Sequence, residues 1–195
     1  MDTQPNHITH TQETDLSLLL TGIRLASFWH RDQRRRDPFG TPYINHPLGV
    51  LDILHNEGGV TDTVTLLGGL LHDTIEDTDA TAEELRDHFG EEVRDLVLEV
   101  SDDKSLPKLR RKQLQIETAF HKPLPAKLIK LADMIHNLRD LVAAPPQSWS
   151  LERRQGYVVW AQAVAVGLAG AHGGLELKMR QALTEAKQAF GLDGE

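Results

Sequence analysis

Apolar residues recur three and four positions apart along almost the whole chain, and each run is bracketed by a capping residue and a breaker. Leu16, Leu19, Leu20 and Ile23 follow Thr14/Asp15, and Leu48, Leu51 and Leu54 follow Pro47 and end at Gly58-Gly59. Val64, Leu67, Leu70 and Leu71 follow Thr61/Asp62, and Val93, Leu96, Val97 and Val100 follow Gly90. This is the period of a helix with one face turned inward. Thr81-Ala82-Glu83-Glu84 has the form of a capping box. Pro107 opens a helix to about His121, Ala126 to Leu141 is strongly amphipathic before Pro145-Pro146, and two more helices, 150–169 and 174–190, are parted by Gly170-Ala-His-Gly-Gly174. No alternating run with an Asn-Gly or Asp-Gly turn is present, so strands are not expected. The pattern predicts an all-α single domain over 14–195 behind a flexible N-terminus, 1–13. The first helix is expected to run on through Arg34, Arg35 and Arg36 and stop before Pro38.

The chain is 195 residues long, enough for one buried core. No apolar run approaches the length of a membrane span, and the N-terminus lacks the order of a secretion signal, so no membrane partner and a cytoplasmic location are expected. With no cysteine, disulfides and thiolate metal sites are excluded. A net charge of −8 argues against a nucleic-acid partner and makes the basic run Arg34 to Arg36 conspicuous. Ten histidines make a metal or acid–base site worth seeking.

Three clusters carry chemistry. LLHDTIEDT, residues 70–78, is read as the end of the third helix and places His72 with Glu76 and Asp73 with Asp77, each pair on one helix face. Three carboxylates beside an imidazole repel one another unless a cation sits among them; the alternative is a solvated acidic helix end. KLADMIHNLRDL, residues 130–141, sets Asp133 close to a buried stripe, with Asn137 on its face, and a buried carboxylate needs a partner. His136 is either a satisfied core histidine or a support for a metal ligand. His46 stands in YINHP, stiffened by Pro42 and Pro47, and taken alone reads as a helix-cap or packing histidine. His46, His72, Asp73 and Asp133 together form a mixed nitrogen and oxygen donor set suited to manganese, iron or zinc.

These motifs, in this order, resemble the HD-domain metal-dependent phosphohydrolases. YINHP, LLHDTIEDT and KLAD-x-x-HN-x-R are similar to the hydrolase domain of the RelA/SpoT-homologue family, which degrades the alarmones ppGpp and pppGpp. SDDKSLPKLRRK at 101–112 and W-x-x-x-R-x-x-x-Y at 149–157 resemble its small single-domain branch, which includes the metazoan SpoT homologues; the similarity spans about Phe28 to Trp160. The resemblance implies a helical HD-domain fold and metal ligands His46, His72, Asp73 and Asp133, usually around Mn2+. It implies that Glu76 and Asp77 orient and activate the attacking water. It places Arg35, Arg36, Lys108, Asn137, Arg153 and Tyr157 at the nucleotide, although bottom-up each of Lys108, Arg153 and Tyr157 reads equally as surface charge or core. Arg31 and Arg34 retain the plain reading of a solvated helix end.

The implied activity is hydrolysis of the 3′-pyrophosphate of ppGpp or pppGpp, giving GDP or GTP. The family's larger members add a synthetase domain for which this chain has no room, so no synthesis is expected. The alternatives are an HD phosphohydrolase acting on another nucleotide, such as the 2′-phosphate of NADPH, and a non-catalytic alarmone-binding module. Intact Glu76 and Asp77 argue against the last.

Overall fold

The computed structural model describes residues 10–192, with side chains from residue 15 onward. Among them the chain is helical, as its periodicity requires: α1 (His10–Trp29), α2 (Asn45–Asp52), α3 (Thr63–Leu71), α4 (Thr74–Asp77), α5 (Ala82–Phe89), α6 (Glu91–Val100), α7 (Lys108–Thr118), α8 (Leu124–Ala143), α9 (Leu151–Gly167) and α10 (Gly173–Phe190). A π-helical turn, Ile53–Glu57, prolongs α2, and a 3₁₀ turn, Ala119–His121, prolongs α7. An isolated bridge between Arg34 and Pro42 is the only extended pairing among the described residues.

The caps act where the sequence puts them. Asp62 accepts from the Thr65 amide at the start of α3, the Thr81–Glu84 box closes on itself, and Ser150 opens α9. Both ends of the first helix differ from expectation. α1 begins at His10 rather than at Thr14/Asp15, so of the expected N-terminal tail only residues 1–9 lie outside the described residues. α1 also ends at Trp29 rather than running through the arginines. Arg31 donates to the Phe28 carbonyl in the last turn of α1, and Arg34 donates to the Arg31 carbonyl just beyond it. The chain then doubles back: Arg35 N–H donates to Thr41 O and Tyr43 N–H to Gln33 O. Asp37 holds the tip by accepting from the Phe39 and Thr41 amides.

α3 and α8 form the centre. Every residue of α3 from Thr65 to Leu71 is buried. Gly68 and Gly69 permit this, because a methyl group on them would fall 2.8 Å from Ile129 and Leu96 and 2.4 Å from Leu54. α8 buries Leu128, Ile129, Leu131, Met134, Ile135 and Leu138 against α10, α9 and the π turn. A second apolar cluster, Ala26, Leu67, Leu70, Leu71, Leu85, Val93 and Val97, joins α1, α3, α5 and α6. A Leu side chain fully buried in such a core contributes roughly 1.5–3 kcal/mol. Arg139 of α8 pairs with Glu57 through both guanidinium ends, at 2.5 and 2.9 Å, which locks the π turn to α8. Among the described residues no helix is long and apolar enough to cross a membrane.

Candidate active site

α2, the α3–α4 junction and α8 meet end to face, and four side chains converge there. His46 Nε2 lies 3.3 Å from His72 Nε2, 3.3 Å from Asp133 Oδ1 and 3.6 Å from Asp73 Oδ2. His72 Nε2 lies 3.1 Å from Asp73 Oδ2 and 3.8 Å from Asp133 Oδ1. Ligands about 2.1 Å from an ion sit roughly 3.0–3.4 Å apart in octahedral or tetrahedral arrangements. His46, His72 and Asp133, all buried, therefore fit a divalent cation, with Asp73 reaching both imidazoles.

The sequence expectation of one continuous acidic helix over 70–78 is corrected here. α3 stops at Leu71, and Thr74–Asp77 forms a separate turn. Adjacent residues of an unbroken helix point about 100° apart. The break at His72-Asp73 lets both side chains enter one site.

Supporting contacts orient the donors. His72 Nδ1 faces Gly69 O at 2.8 Å, so Nε2 is left for the centre. His46 Nδ1 faces His136 Nδ1 at 3.1 Å, and His136 packs so tightly on Gly49 that a methyl there would fall 2.1 Å from its ring. His136 is thus a support for His46 rather than a satisfied core histidine. Asp133 accepts from Asn137 Nδ2 at 2.5 Å and from Lys130 Nζ at 3.1 Å; Asp73 accepts from the Tyr43 hydroxyl at 2.6 Å. Asn137 passes the chain on, its Oδ1 accepting from Arg35, which also pairs with Asp140 at 2.8 Å.

Charge follows geometry. Burial pushes His72 down, but Asp73 and Asp133 outweigh it and raise it to about 9. Burial pushes Asp133 up, yet Lys130 and the two imidazoles hold it well below the carboxylate range. Burial holds His46 below its ordinary value, and burial with the neighbouring His46 lowers His136 to about 4. Without a metal the site balances its carboxylates with a proton on His72.

Glu76 and Asp77 sit beside this centre. Glu76 Oε2 accepts from the Asp102 amide at 3.1 Å, and Arg111 approaches Oε1 at 3.3 Å. Burial pushes Glu76 above its ordinary value. Lys104 donates to Asp77 at 2.5 Å, and Gln33 donates to its carbonyl.

A cleft of about 520 Å³ opens from here, lined among others by Arg35, Arg36, Tyr43, Asp77, Asn137 and Tyr157. Tyr157 packs between Trp149 and Trp160 in tilted contacts, with ring centres 6.0 and 5.3 Å away. Lys108 and Arg153 do not line the cleft; they stand exposed at its border, Arg153 over the Trp149 ring at 4.3 Å. Burial and the charges of Arg153, Arg36 and Arg111 hold Lys108 below its ordinary value, which places these cations in one electrostatic neighbourhood. The structure thus brings Arg35, Arg36, Asn137 and Tyr157 to the cleft, leaves Lys108 and Arg153 outside its lining, and spends Arg35 and Asn137 on the internal network.

Sequence reasoning missed Tyr43, Lys130, Lys104, Arg111 and Asp140 as parts of the site. Lys130 was accessible from its three-residue spacing to Asp133. Lys104 and Arg111 reach Glu76 and Asp77 across the fold, which no local spacing signals.

A buried two-imidazole, carboxylate-supported centre at the meeting of helices defines a metal-dependent hydrolase of the HD type. A family model described as HD domain matches residues 23–166, and the chain belongs to that family. Within it, the chain is 53% identical over 166 residues to guanosine-3′,5′-bis(diphosphate) 3′-pyrophosphohydrolase MESH1 of Xenopus tropicalis, covering 85% of this chain and 93% of that protein. It is 54% identical over 163 residues to the Homo sapiens MESH1, covering 84% and 91%. A solved structure, described as a metazoan ortholog of SpoT that hydrolyzes ppGpp and plays a role in starvation responses, superposes with a TM-score of 0.84 at 44% identity, covering 94% of this chain and 98% of that one.

Proposed function

We propose that the protein is a Mn2+-dependent 3′-pyrophosphohydrolase of ppGpp and pppGpp that hydrolyses without synthesising, acting in the cytoplasm. The observation that carries the reading is the convergence of His46, His72 and Asp133 beside Glu76 and Asp77, at the end of a cleft with cationic groups at its wall and border. His46, His72, Asp73 and Asp133 would hold the ion, which would supply Lewis acidity to the attacking water.

The protein's own groups do the rest. Glu76 and Asp77 orient the water, and Glu76, pushed above its ordinary value by burial, is suited to take its proton. Attack on the phosphorus attached to the ribose 3′ oxygen breaks that P–O bond, leaves a 3′ hydroxyl and releases pyrophosphate. Arg36, Lys108 and Arg153 neutralise phosphate charge from one side of the cleft. Tyr157 offers a ring face to the nucleotide, and Asn137 and Arg35 hold the wall beside Asp133. The MESH1 names and the ppGpp hydrolysis described for the solved neighbour support the same substrate.

The test incubates metal-free protein reloaded with Mn2+ with ppGpp, pppGpp and NADPH in parallel, following pyrophosphate and phosphate release. Release of pyrophosphate from the alarmones is expected; phosphate from NADPH alone would overturn the substrate assignment. Asp73→Ala is expected to lose both Mn2+ binding and turnover. A parallel incubation with ATP and GDP should form no ppGpp.

A further inference from the structure

Glu76 and Asp77 are adjacent carboxylates on the one-turn helix α4. Asp73 and Asp102 add further negative charge around Glu76, whose side chain is 18% exposed. The compensation is uneven. Glu76 receives the Asp102 amide and Arg111, but Arg111 also faces Asp102 at 3.6 Å, so its charge is shared. Asp77 has one cation in salt-bridge contact among the described residues, Lys104, whose ammonium lies 2.5 Å from Asp77 Oδ1 and 3.4 Å from Glu76 Oε1.

Lys104 comes from the segment between α6 and α7. There Asp103 accepts from the Ser105 amide through its side chain and from the Leu106 amide through its carbonyl. This turn fixes the stem of a side chain that otherwise has many rotamers. An exposed ion pair of this kind adds little to stability, so its contribution is sought in geometry.

We propose that Lys104 is a positioning residue for the hydrolysis: by bridging Glu76 and Asp77 it holds both carboxylates at the orientation in which they direct the attacking water. The proposal rests on the assignment of Glu76 and Asp77 as the water-orienting pair. Burial pushes Lys104 down, but Asp77 and Glu76 outweigh it and raise it, so the bridge stays charged at neutral pH. Methionine copies the length of the lysine stem without its charge, whereas arginine keeps the charge.

Full-length wild type, Lys104→Met, Lys104→Arg, Glu76→Gln and Asp77→Asn are compared with Mn2+ and ppGpp. Bound manganese and thermal melts serve as checks on site and fold. Lys104→Met is expected to lower kcat by about 10- to 100-fold with KM within about twofold, and Lys104→Arg to recover most of the loss. A Lys104→Met variant with kcat within about twofold of wild type, or one whose loss lies in KM alone, overturns the proposal, the latter by making Lys104 a phosphate contact. Full activity in Glu76→Gln and Asp77→Asn overturns the pair's assignment itself, and the proposal with it. Loss of activity in those two with none in Lys104→Met overturns the positioning role alone.

Discussion

His72 and Asp73 show how much depends on single residues here. Neighbours in sequence, they reach the same point only because the helix breaks at them, between Leu71 and Thr74, and the resulting 3.1 Å contact keeps His72 protonated at neutral pH. A metal ligand must be neutral imidazole. His46 is already neutral, and Asp73 and Asp133 are already ionised, so Mn2+ binding at pH 7.5 should release about one proton. Calorimetry in buffers of different ionisation enthalpy measures it; a release near zero would place the site's balancing charge elsewhere. Gly49 is a second such position. Gly49→Ala drives a methyl into the His136 ring and is expected to cost about 1–3 kcal/mol, read as a lowered melting temperature, and to weaken Mn2+ binding by displacing His46.

At the scale of elements, α8 does two jobs with one periodicity. Its apolar stripe, Leu131, Ile135 and Leu138, enters the core, while Lys130, Asp133, Asn137 and Asp140 follow spacings of three and four, linking the buried centre at Asp133 to the cleft at Asn137 and Asp140. Helix ends away from the site serve stability alone. The Thr81–Glu84 box at α5 has both reciprocal bonds and stands clear of the cleft. Thr81→Ala should lower unfolding free energy by about 1 kcal/mol, seen as a shift of the urea midpoint at constant m, with kcat unchanged. The same comparison separates elements that carry the site from those that only close the bundle.

For the whole molecule, the buried imidazoles make metal-free stability a function of pH with opposing slopes. His72 is raised to about 9, so its contribution is complete below the unfolded value of 6.5 and is lost as pH rises toward 9. His136 is lowered to about 4, so its contribution is complete above 6.5 and is lost as pH falls toward 4; Asp73 and Asp133, held low, lose theirs at still lower pH. Melting temperature of the metal-free protein should therefore peak near pH 6.5. Mn2+ should raise it most on the alkaline side, where the ion replaces the lost proton on His72. A metal-free profile that rises from pH 6.5 to 9 would contradict this balance.

The sequence by itself determined most of the helices and marked the candidate donors. Capping side chains, prolines, glycines and the 3.6-residue period act over a turn or two, so Asp62, the Thr81 box, Pro145-Pro146 and the amphipathic α8 were legible one segment at a time. The motifs likewise marked His46, His72, Asp73 and Asp133 as one candidate set, of which His46, His72 and Asp133 lie close enough to share an ion. Only the tertiary structure decided where α1 gives way to the rim loop, that α3 breaks at His72-Asp73, and that Arg35 is spent on Asp140 and Asn137. It also decided that Lys130, Lys104 and Arg111 neutralise the acidic centre. The reason is physical: a helix is closed by hydrogen bonds between near neighbours in sequence, whereas the partner of a buried charge is whichever group the packed core brings within reach, because desolvation leaves no charge there uncompensated.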